Sequence, residues 1–141
     1  TAEKAITGAD IICAATTSST PILRYQDLKS GVHINGVGSF QPSMQEIDSE
    51  TIKNALVFVD SRESALSETG DLTIPIQEGI IGKNHLRAEI GELLENRSLG
   101  RKAPDEITFF KSCGVAVQDV VAAGMAIEQA KKHNLGRIIR M

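Results

Sequence analysis

The sequence has no apolar run approaching the ~20 residues that a membrane helix needs, and neither a signal peptide nor a basic presequence opens it. An excess of one charge is missing too. Lys and Arg number 15 against 18 Asp and Glu, a net of −3 with neither sign clustered, which argues against an electrostatic binder of nucleic acid or another polyanion. Cysteine is scarce: Cys13 and Cys113 are the only two, and they stand too far apart to form a C-x-x-C pair. No repeat or low-complexity tract interrupts the chain. What is present is a globular composition, 41% hydrophobic over 141 residues, enough for one ordinary domain whose core needs no disulfide or metal staple. The expectation is a reduced, cytoplasmic α/β domain with no nucleic-acid or membrane partner.

Local patterns give that domain an order. Ala2–Thr7 reads as a short helical tail closed by Gly8. Ala9–Ala15 is an apolar run without alternation, which predicts a strand buried on both faces, with Cys13 as a small core residue. A helical turn over Tyr25–Leu28 and a corner at Gly31 lead to a second strand, Val32–Gly38. A helix over Ser49–Ala55 precedes a third strand, Leu56–Val59, and Asp60-Ser61 offers an N-cap for a helix over Arg62–Thr69. This strand–helix cadence predicts βαβ units and a parallel sheet. From Gly70 to Pro104 the pattern is less regular, apart from a short helix over Ile90–Asn96. Val115–Asn134 is the clearest local prediction, a long helix apolar over much of its surface and therefore expected to be buried. Its Gly124 is expected to admit another backbone closely, with Gly136 as terminator.

Three stretches have chemistry to offer, each with a plainer alternative. Thr16–Thr20 follows the first strand, where small hydroxyls can bond a ribose or a phosphate; a solvated loop is the alternative. Gly36-Val37-Gly38 resembles the start of a dinucleotide fingerprint but fails it, because the third glycine position is Gln41; two glycines at a strand end still let a flat ring lie against the backbone. Ser112, with the backbone N–H groups ahead of the long helix, could hold a polar ligand group, or could serve as its N-cap. Neither His33 nor His85 has partners at nucleophile or metal spacing, and structural roles are expected for both. No metal site is expected.

Taken in order, Gly8–Thr17, Gly31–Phe40, Gln45–Asp48, Val59–Arg62 and Asp105–Asp119 resemble the ornithine cyclodeaminase/μ-crystallin family over essentially the whole chain. The resemblance implies an NAD(P)-dependent enzyme with a Rossmann domain and an N-terminal dimerisation domain. Members include ornithine cyclodeaminase, alanine dehydrogenase, pyrroline-2-carboxylate-type imine reductases, and a ketimine reductase that also binds thyroid hormone. Their common chemistry is hydride exchange between a nicotinamide, of NAD or NADP, and a carbon bearing an amino or imino nitrogen. By the resemblance, Thr16, Thr17, Val37, Gly38, Ser39 and Ser112 are cofactor-binding, and Phe40 and Cys113 border the substrate.

Phe40 stands where ornithine cyclodeaminase has a catalytic Asp, and Met44 where it has a cofactor-contacting Lys. Phe can neither accept a proton nor pair with an ammonium, so a cyclic imino acid reductase, or an enzyme interconverting an amino acid and its oxo acid, is favoured. Ornithine cyclodeaminase, and a non-catalytic NADPH-binding protein, are the alternatives. The fold expected is the second half of a Rossmann-type parallel sheet: residues 1–114 as that half, and residues 115–141 as a helix and tail returning toward a dimerisation domain. The chain is read as a fragment cut ahead of Thr1, lacking catalytic residues of its own and inactive alone. The full-length protein is expected to be a homodimer acting on a small amino or imino acid.

Overall fold

A computed structural model of the chain describes residues 1–137 and 139. Its centre is a five-stranded parallel sheet built from β1 (Ile11–Ala14), β2 (His33–Gly36), β3 (Leu56–Val59), β4 (Leu86–Glu89) and β5 (Thr108–Lys111), in the spatial order β1-β2-β5-β3-β4. Around it lie α1 (Ala2–Ile6), α2 (Ser49–Asn54), α3 (Arg62–Glu68), α4 (Gly70–Gln77), α5 (Ile90–Glu95) and α6 (Ala116–Lys132).

The order of the strands decides which face each connection covers. From β1 through β4 the chain steps across the sheet in one sense, so right-handed crossovers put those connections on one face. There Leu23, Ile47, Ile52, Ala65 and Leu72 pack on Ile12, Ile34, Val57, Val59 and Phe109 as a single core. The return from β4 to β5 reverses the step and carries α5 to the opposite face, where Ile90 and Leu93 meet Phe58 and Phe110.

Most predicted elements form within a residue or two of their expected bounds, and Ser61 caps α3 by accepting from the Ser64 N–H. The differences share a physical cause, the lack of a packing partner or the presence of an unforeseen one. β1 is an edge strand whose residues alternate between exposed and buried. Only Ile12 and Ala14 join the core, while Ile11 remains 66% exposed and Cys13 is exposed as well. Among the described residues no helix covers the second face of β1, so the double burial expected of this strand is not found.

Helix α6 forms as predicted but lies exposed along its length, with Val120 at 71% and Met125 at 62%. Periodicity identifies a face suited to burial but not the surface that buries it. Nothing lies within 4 Å of a Cβ built on Gly124. The left-handed residue that follows the helix is Asn134, two residues ahead of Gly136, which also has positive φ.

Three elements, α4, β4 and β5, were not predicted from the sequence. In α4, Gly70 and Pro75 are poor helix formers, yet tertiary contacts hold the helix. A Cβ on Gly70 would overlap the Met44 carbonyl oxygen and lie 2.7 Å from that of Pro42. In β4, Leu-Arg-Ala-Glu has little strand preference and forms a strand by pairing with β3.

Candidate functional site at the carboxyl ends of the strands

Because all five strands are parallel, the residues that follow β1, β2, β3 and β5 line up along one end of the sheet. Thr16, Val37, Asp60 and Ser112 are therefore neighbours by topology, at the place where open α/β sheets bind ligands. The loops after β1 and β2 come closest at Gly38. A side chain there would run into the backbone N and O of Thr16, and would stand 2.6 Å from Glu46 Oε1.

Glu46 clasps these two loops together. Its side chain is fully buried. Oε1 accepts from the Thr16 N–H at 2.5 Å, and Oε2 accepts from the N–H groups of Gly38 and Ser39 at 2.8 and 3.2 Å. The N–H groups of Val37 and Gly38 also donate to the Ala14 carbonyl. Every N–H of Val37, Gly38 and Ser39 is thus committed inward, and the strip can offer a ligand only its carbonyls and the exposed Val37 side chain. The Ser39 hydroxyl is buried too, on the Met44 carbonyl at 2.6 Å and Thr69 Oγ1 at 2.9 Å, so this residue shapes the strip from behind.

A second layer lies beneath. Asp71 Oδ1 accepts from the N–H groups of Glu46 and Ile47 at 2.7 and 3.1 Å, and its Oδ2 faces the Lys111 ammonium at 3.7 Å. Both side chains are fully buried. At that distance the two charges attract without a hydrogen bond. Burial pushes the Asp71 carboxyl up to about 6, against the opposing pull of the Ile47 N–H and the Lys111 cation.

Folded Asp71 keeps its proton to about pH 6 whereas the unfolded group releases it near 3.8, so stability falls as pH rises through that window. The expected loss is about 3 kcal/mol. Urea unfolding of the wild type and Asp71→Asn between pH 4 and 6 checks this: the wild type should lose stability relative to the variant as pH rises, and a constant difference would contradict it.

Ser112 is not the cap of α6; that position is Val115, with no side-chain hydrogen bond. The turn before it folds onto Asp60 instead. Asp60 Oδ2 accepts from Ser112 Oγ at 3.3 Å and from the Cys113 and Gly114 N–H groups at 2.8 Å each. Those N–H groups are therefore already occupied by a carboxylate. Cys113 is partly buried, and burial together with the Asp60 charge pushes its thiol up to about 11, so it stays protonated and unreactive at neutral pH. His33 bonds Thr108 and Asn35, and His85 bonds the Ile52 carbonyl, structural roles for both. No cluster of metal-ligating groups occurs among the described residues, and no helix among them is long and apolar enough to cross a membrane.

A family model for ornithine cyclodeaminase/mu-crystallin proteins matches residues 1–134. The chain belongs to the ornithine cyclodeaminase/mu-crystallin family. It is 46% identical, over 98% of its length, to a Delta(1)-pyrroline-2-carboxylate reductase of Bacillus cereus, and spans 42% of that protein. A Thermococcus litoralis Delta(1)-pyrroline-2-carboxylate reductase, solved in complex with NADH and L-proline, superposes with a TM-score of 0.91 at 38% identity, over 99% of this chain and 43% of that one. An archaeal alanine dehydrogenase dimer with bound NAD superposes with a TM-score of 0.87 at 35% identity, over 100% of this chain and 43% of that one. The five parallel strands are accordingly part of a Rossmann-type sheet.

In this family member the loop after Gly38 presents Phe40 to solvent, 59% exposed, while Met44 turns inward and is buried. Thr16 and Thr17 are exposed beside them. The sequence-predicted residues thus gather on one end of the sheet. The sequence assigns no role to Glu46, Asp71 or Lys111, and to Asp60 only a place in a helix cap. Counting by twos from the core residue Phe109 puts Lys111 on the core face of β5, a charged residue in phase with buried ones, and that was the available signal.

Proposed function

We propose that the protein carrying this chain is an NAD(P)-dependent reductase of a small cyclic imino acid of the pyrroline- or piperideine-2-carboxylate type, and that residues 1–114 supply the nicotinamide end of its cofactor site. The observation carrying this reading is the strip Val37–Ser39, whose N–H groups are all bonded inward, with the exposed side chains of Val37 and Phe40 beside it. An acceptor-only strip suits the amide N–H groups of a nicotinamide, and the close approach at Gly38 keeps the surface flat enough for a ring. The pyrophosphate has no comparable cradle among the described residues. When bound, the cofactor supplies the hydride.

In this reading the chain's own residues position and shield. Thr16 and Thr17 offer hydroxyls to the cofactor, and Asp60 holds Ser112 toward the same end of the sheet. Phe40 and Cys113 border the substrate, where Phe40 excludes water and can take no proton, unlike the Asp of a cyclodeaminase. The exposed apolar stripe of α6, Val117, Val121 and Met125, is the surface that residues 115–141 would bury against a dimerisation domain in a cytoplasmic homodimer.

The test is NADH and NADPH oxidation by the full-length protein with pyrroline-2-carboxylate, piperideine-2-carboxylate and pyruvate plus ammonia, alongside proline formation from ornithine. Turnover of a cyclic imine with no proline from ornithine is expected. Proline and ammonia from ornithine would favour the cyclodeaminase, and tight NADPH binding without any turnover would favour a binding protein.

A further inference from the structure

Three charged side chains are fully buried beneath the Thr16–Ser39 loops: Glu46, Asp71 and Lys111. Lys111 and Asp71 face each other at 3.7 Å and offset one another. Glu46 has no cationic partner among the described residues. Both its oxygens act only as acceptors, from Thr16 on one side and from Gly38 and Ser39 on the other, the hydrogen-bonding pattern of an ionised carboxylate. The group of three therefore carries a net charge of −1, seated directly behind the strip assigned to the nicotinamide.

Protein interiors screen charge far less than water does, so a fixed anion behind a thin layer of backbone is felt by what lies in front. The two forms of a nicotinamide differ by one positive charge on the ring, which the oxidised form carries and the reduced form lacks. We infer that Glu46, besides clasping the two loops, makes this site discriminate between cofactor forms by charge, favouring the oxidised nicotinamide over the reduced one. This inference rests on the reading that the Val37–Ser39 strip holds the nicotinamide.

Glu46→Gln removes the charge at nearly the same shape, and its NH2 loses one of the two loop contacts, an effect shared by NAD+ and NADH alike. In the full-length protein, dissociation constants for NAD+, NADH and ADP-ribose are measured for wild type and variant by titration calorimetry. The variant is expected to weaken NAD+ about tenfold more than NADH, with ADP-ribose, which lacks the ring, unchanged. Equal weakening of NAD+ and NADH with ADP-ribose unchanged would overturn the charge role while leaving the ring on the strip. A parallel change in all three, or in none, would overturn both readings.

Should the variant not fold, benzamide adenine dinucleotide, whose ring is neutral, serves with the wild type. NAD+ is expected to bind about tenfold more tightly than this analogue. Equal binding of the two, both tighter than ADP-ribose, would overturn the inference alone; equal binding of all three would overturn the nicotinamide assignment as well.

Discussion

Replacing Lys111 by Met is expected to destabilise the folded protein by about 1–2 kcal/mol at neutral pH, because Asp71, left without its partner, takes up a proton at a cost set by its pKa of about 6. Met preserves most of the length of the side chain, so the loss is electrostatic rather than a cavity. Lys111 is fully buried and faces Asp71 across 3.7 Å, and Asp71 in turn holds the backbone of Glu46 and Ile47. Two features separate this account from simple core damage. Lowering the pH toward 5 should restore part of the loss, because a protonated Asp71 no longer needs the cation. The double variant Lys111→Met/Asp71→Asn should be more stable than Lys111→Met alone, since it removes the orphaned carboxyl. Urea unfolding of the four proteins measures both; a loss below about 1 kcal/mol, or a double variant no better than the single, would contradict the pairing.

Gly38→Ala is the second large effect. The added methyl would overlap the backbone of Thr16 and approach Glu46 Oε1 to 2.6 Å, so the β1 and β2 loops must part. Overpacking of this kind costs about 1–3 kcal/mol. In the full-length protein the displaced strip should cost on the order of a hundredfold in kcat/KM, since a misplacement of about 1 Å is enough for such a loss. Gly91→Ala is the control, because nothing lies within 4 Å of its added methyl, and Ala is the better helix former inside α5 by up to ~1 kcal/mol. A Gly38→Ala protein as stable and as active as this control would remove the close approach from the account.

The contrast between these glycines shows where sequence reading succeeds. Gly36-Val37-Gly38 stands out as a strand end with two small residues, and β1, β2 and β3 are legible because short apolar runs bounded by turns carry a local signal. The same locality explains the failures. α6 displays an apolar periodicity that marks a face but not a partner for it, and it lies exposed; Cys13 looks like core until β1 is known to be an edge strand. β4 and α4 have weak or contrary local preferences and are held by neighbours far along the chain. The charged layer of Glu46, Asp71 and Lys111 was the least legible. Its members come from three separate segments, and only the fold brings them together. Asp60 is similar: beside Ser61 it reads as part of a helix cap, and its bonds to Ser112, Cys113 and Gly114 span more than fifty residues.

The central claim is that the carboxyl ends of β1 and β2 hold the nicotinamide. Methyl NMR of the full-length protein, titrated with NADH and with ADP-ribose, tests it most directly. The exposed Val37 methyl resonances are expected to shift with NADH and stay in place with ADP-ribose. Val37 resonances that respond equally to both ligands, or to neither at saturation, would contradict it.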